Sequence, residues 1–136
     1  MRKLLILLSV LSILLFGRWF ITEDVLASNK DSAEEFFEKI NSDTYQEFSQ
    51  PTGNLRVIIR YKDIPDTLKN KGILKMVPKT SYSGDPKINP NAEIYYYASW
   101  KKQGDEFNFR YAVFDANSTK ILVSGSSYHL EKNGTK

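Results

Sequence analysis

Between Glu93 and Leu130 three stretches alternate apolar and polar residues at every second position, which restricts the fold more than anything else in the chain. Ile94, Tyr96, Ala98 and Trp100 alternate with Glu93, Tyr95, Tyr97, Ser99 and Lys101. After a turn at Gln103-Gly104-Asp105-Glu106, Phe107, Phe109, Tyr111 and Val113 alternate with Asn108, Arg110, Ala112 and Phe114. A second turn at Asp115-Ala116-Asn117-Ser118-Thr119 leads into Lys120 to Leu130, where Gly125 marks a bulge or bend. A period of two belongs to strands. Connections this short allow only antiparallel neighbours, so the three strands form a meander. Leu55, Val57, Ile59 and Tyr61, within Leu55 to Lys62, share one face of a fourth strand.

Upstream the period changes. Ser32-Ala33-Glu34-Glu35 reads as a capping box, and Ala33, Phe36, Phe37, Ile40, Thr44 and Phe48 follow at helical spacing. Asn41-Ser42-Asp43 is a weak point that divides this stretch into two short helices. Residues 63–91 contain Pro65, Gly72, Pro78, Gly84, Pro86 and Pro90, and read as a long loop with one short element near 73–77. A connection of that length is often functional. The expected fold is α+β, with the N-terminal helix packed on the Leu55, Val57, Ile59 and Tyr61 face of a four-stranded antiparallel sheet.

The first residues give an address. Met1-Arg2-Lys3 precedes 13 uncharged residues, Leu4 to Phe16, as in the apolar region of a secretory signal. Two outcomes stay open for residues 1–27. Val25-Leu26-Ala27 offers a cleavage site before Ser28. Alternatively residues 4–21, at the lower length limit of a spanning helix, form an uncleaved anchor in contact with the membrane, with Arg18 and Trp19 at its outer end. Either way residues 28–136 form one extracytoplasmic domain. It has no cysteine, an economy common in exported proteins of Gram-positive bacteria.

With these elements in order, the chain resembles small exported α+β rolls of the cystatin-like, NTF2-like and PepSY-like kinds. The segment Tyr111-Ala112-Val113-Phe114-Asp115-Ala116-Asn117-Ser118-Thr119-Lys120-Ile121-Leu122 is similar to the last hairpin of PepSY-type modules, with Ser118-Thr119 where that hairpin has a glycine. The helix from Ala33 to Phe48 is similar to the opening helix of NTF2-like domains. The resemblance implies an accessory, inhibitory or scaffolding module and carries over no catalytic residue.

Composition narrows the chemistry further. The absence of cysteine and the presence of a single histidine exclude thiolate and multi-histidine metal sites and cysteine nucleophiles, so neither metal nor cofactor is expected. A net charge of +3 does not call for nucleic acid. A hydrolase would need His129 to meet a serine and a carboxylate, yet Ser127 and His129 lie about 7 Å apart along one strand. Charge is uneven: residues 28–50 carry −4 and residues 51–90 carry +5. With Leu55 facing the helix, the opposite sheet face presents Arg56, Arg60, Tyr95, Tyr97, Lys101 and Arg110, an aromatic and basic surface suited to stacking and to anions. The expected function is therefore a non-enzymatic binding or accessory module of the cell envelope. Its partner would be an envelope component or another exported protein; the alternative is a homodimeric assembly subunit using the same face.

Overall fold

A computed structural model describes residues 30–131, and the compact unit begins at Ser32. The signal or anchor expected at 1–27 lies outside the described residues. Helix α1 (Ala33–Phe37) is followed by strand β1 (Gly53–Arg60), helix α2 (Ile64–Asn70), and strands β2 (Glu93–Gln103), β3 (Glu106–Asp115) and β4 (Ile121–Leu130). Single 3-10 turns occupy Tyr61–Asp63, Leu74–Met76 and Lys79–Ser81. The four strands form one antiparallel sheet in sequence order. No helix among the described residues is long and apolar enough to cross a membrane.

The expected capping box is present. The Ser32 hydroxyl accepts from the Glu35 N–H, and the Glu35 carboxylate accepts from the Ser32 N–H. The helix nevertheless ends at Phe37 rather than continuing toward Phe48. Asn41 diverts the chain, because its side chain takes the Asp43 N–H and its carbonyl takes those of Thr44 and Tyr45. The stretch read as a loop holds the second helix. Pro65 sits in its first turn, where a missing N–H costs nothing, and Ile64 and Leu68 point to the core one turn apart.

The layers also differ from expectation. The face bearing Leu55, Val57, Ile59 and Tyr61 is not covered by the N-terminal helix. It is covered by residues 61–92, whose Ile64, Leu68, Ile73, Val77 and Ile88 join Tyr96, Ala98, Trp100, Phe107, Phe109, Tyr111 and Val113 in the main core. Phe36 and Tyr45 from the N-terminal segment pack instead against Tyr95, Tyr97, Ala112, Phe114 and Ala116 on the other face. The physical reason lies in β2, where every residue from Ile94 to Trp100 is buried. Both of its faces are apolar, so alternation alone does not say which covering segment goes where.

One backbone position and four buried phenols are open to test. In the β3–β4 turn, the Asp115 carboxylate accepts from the Asn117 and Ser118 N–H groups, and Thr119 follows with φ +60. That left-handed conformation is ordinary for glycine and costly for a β-branched residue. Thr119→Gly is expected to raise stability by about 1 kcal/mol, read as a higher urea midpoint. Burial also holds the phenols of Tyr45, Tyr61, Tyr96 and Tyr111 above their usual 10.0. The unfolded chain then loses those protons first, so the stability they contribute is complete below pH ~10 and is lost as pH rises above it. The melting temperature should hold to about pH 9 and fall steeply above about pH 10, in step with tyrosinate absorbance.

Candidate functional site

The six residues expected on an open sheet face meet different fates, because the N-terminal segment covers much of that face. Tyr95 is 1% exposed and stacks on Phe36 with ring centres 4.3 Å apart. Tyr97 is fully buried among Phe36, Phe37 and Tyr45, and its hydroxyl donates to the Ala33 carbonyl at 2.9 Å. Neither is available for stacking on a ligand, which corrects the expectation for both. Their removal would empty the smaller core.

Arg56 is also committed. Its Nε and Nη2 donate to the two Glu47 oxygens at 2.7 and 2.8 Å, and Nη1 donates to Glu34. Its guanidinium lies 3.6 Å from the centre of the Phe37 ring. The acidic segment and the basic strand thus neutralise each other within the chain, in the bidentate geometry that makes arginine pairs strong. Arg60 is exposed at the far end of β1, in register with Glu93. Lys101 is half-buried toward the opposite end of β2, in register with Asn108. Neither joins the others in one site.

Arg110 remains. It stands on β3 between Ser99 of β2 and Ser126 of β4. Phe48 lies under its guanidinium at 4.1 Å, and Nη1 reaches the Gln46 carbonyl at 3.5 Å, the far limit of a hydrogen bond. Phe48 is itself fixed, since its N–H donates to the buried Ser99 hydroxyl at 3.0 Å. Among the described residues no carboxylate comes within ion-pair distance of Arg110. It opens into a cleft of about 310 Å³ between the 42–46 turn and β3–β4, lined by Ser42, Asp43, Thr44, Ser124 and Ser126 among others.

Alternation did not distinguish β4 from the inner strands, but burial does. Both covering layers stop short of it, and only Val123 joins the main core from this strand. Ile121, Leu122, Tyr128 and Leu130 are 43%, 38%, 54% and 53% exposed, four of the five large exposed apolar side chains among the described residues. Among these residues, no backbone hydrogen bond from another segment meets its outer edge. An available signal was compositional: ten residues with no proline, lysine, arginine or carboxylate, none of the devices that usually blunt an edge.

His129 is exposed on β4, and the Ser127 hydroxyl, two residues away, has no hydrogen-bond partner. Among the described residues no three histidine or acidic side chains converge to hold a metal. The exposed lysines 69, 71, 75 and 79 lie on the segment covering the main core. There Tyr61, Tyr82, Pro65, Pro86 and Pro90 outline a second, more apolar hollow of about 550 Å³. No known protein family, curated protein or solved structure matches this chain.

The contrast between the two arginines is measurable. Arg56→Ala leaves Glu47, 12% exposed, without its fork and is expected to cost about 2 kcal/mol. Arg110→Ala breaks no ion pair and should cost less than about 1 kcal/mol. Urea unfolding of the two variants beside the parent gives both values.

Proposed function

We propose that this chain is an exported, non-enzymatic binding module of a bacterial cell envelope that takes an extended segment of another exported protein along β4. The observation that carries this reading is the exposure of β4 on both faces together with an outer edge that no strand among the described residues pairs with. Strand addition uses such an edge: main-chain hydrogen bonds supply affinity, and alternate side chains supply selectivity. Apolar residues toward both ends, Ile121 and Leu122 at one and Tyr128 and Leu130 at the other, give an incoming segment two contact regions around the small centre Ser124-Gly125-Ser126.

Localisation follows from residues 1–27, read as a signal peptide or an anchor, which puts the domain outside the cytoplasm. The likeness to accessory rolls of the cystatin-like, NTF2-like and PepSY-like kinds supports the same class. A second reading, a homodimeric assembly subunit, draws on the same strand. An uncharged edge sets no like charges opposite each other when it pairs with its own copy.

A photo-reactive residue at Tyr128 tests the proposal in intact cells. It should cross-link to one exported protein, and the adduct should vanish when Leu122→Lys and Leu130→Lys are added without loss of the circular-dichroism spectrum. The same probe at Lys71 should give no adduct. Adducts that survive the lysine pair, or that form with cytosolic proteins, overturn the proposal. An adduct with a second copy, matched by concentration-dependent sedimentation at micromolar protein, selects the dimer.

A further inference from the structure

The polar cleft beside Arg110 shares Ser124 to Ser126 with β4 but has its own chemistry. Two arginines of one sheet face are treated in opposite ways: Arg56 is saturated by Glu34 and Glu47, whereas Arg110 is stacked, oriented and left without a carboxylate partner. Phe48 and the Gln46 carbonyl hold the guanidinium in place, so a ligand would meet an ordered donor fork. Around it are hydroxyls from Ser124 and Ser126 on β4 and from Ser42 and Thr44 on the turn, with the Asp43 carboxylate in the lining and not within ion-pair distance of Arg110.

Tyr45 forms the inner wall of this cleft, only 7% exposed and packed into the smaller core. The arrangement also sets limits on the ligand. An apolar molecule finds few side chains to contact. A bare multiply charged anion meets the Asp43 charge as well as Arg110. A molecule with one anionic group and neighbouring hydroxyls satisfies both, the anion on Arg110 and a hydroxyl donating to Asp43. At about 310 Å³ the cleft suits a single sugar-sized unit.

We propose that the cleft formed by the 42–46 turn and β3–β4 is a binding site for an anionic polyol, with Arg110 taking the anionic group and Asp43, Thr44, Ser124 and Ser126 taking the hydroxyls. Such a group occurs as a sugar acid, with a carboxylate, or as a phosphorylated polyol, with a phosphate. Two probes separate these sources: glucuronate and glycerol 1-phosphate, each titrated into the isotopically labelled full-length protein and followed by amide shifts. Glycerol alone serves as the uncharged control.

At least one anionic probe should give saturable shifts centred on Thr44 and on Ser124 to Ser126, and the tighter of the two names the source. Glycerol should give none. Arg110→Gln should weaken binding roughly tenfold or more, the loss expected for a charge-assisted hydrogen bond, while Lys71→Gln should leave it unchanged. Asp43→Asn should weaken the polyol anion but not inorganic phosphate. The proposal is overturned if neither anion saturates, if Arg110→Gln binds as the parent does, or if inorganic phosphate binds as well as both polyols. The Leu122→Lys, Leu130→Lys protein should titrate as the parent does, so failure of the edge reading and failure of the cleft are told apart.

Discussion

Strand β2 is buried on both faces, and most of the architecture answers that constraint. Seven consecutive residues, Ile94 to Trp100, are withdrawn from water, four of them aromatic. A strand of that kind must be central and must have a layer on each side. One layer comes from residues 61–92, with short helical pieces and five aliphatic anchors. The other comes from a five-residue helix and the turn after it, which contribute Phe36 and Tyr45. Burying this much aromatic surface is the principal favourable term available to a small domain with no cysteine.

Much of the sheet was readable from residues alone, for a definite reason. Period-two alternation and the turn residues at 103–106 and 115–119 are local signals, so the meander of β2, β3 and β4 and its hairpin positions follow from short stretches, whereas the pairing of β1 with β2 across residues 61–92 does not. The Ser32–Glu35 capping box is local in the same way. Which layer covers which face is not local. Tyr95 and Tyr97 resemble an exposed stacking pair until Phe36 is brought onto them from about sixty residues upstream. The second helix was hidden because Pro65 and the neighbouring prolines signal a break, although Pro65 occupies the one part of a helix that accepts it. The candidate site divided along the same line. Arg110 alone of the six residues lines the cleft, and its significance comes from Phe48 and the 42–46 turn, which no periodicity places.

The uneven charge along the chain has an internal explanation at its centre. An acidic stretch followed by a basic one invites a search for an oppositely charged partner, yet Glu34 and Glu47 close onto Arg56 across the β1 edge. That network ties the N-terminal segment to the edge strand β1, whereas among the described residues no ion pair involves β4. On the proposal that β4 takes an extended segment, this asymmetry rather than net charge is the feature that matters.

Of the apolar side chains of β4 only Val123 packs into the interior, while the Ser127 hydroxyl is buried and a side chain at Gly125 would run into Tyr111. Substitutions at the exposed Ile121, Leu122, Tyr128 and Leu130 are nearly silent for folding, whereas at Ile94, Tyr96 or Gly125 they are not. The exposed side of this rim is therefore an exchangeable strip on a fixed frame: related chains could keep the same interior and turn toward different company by rewriting only its exposed positions.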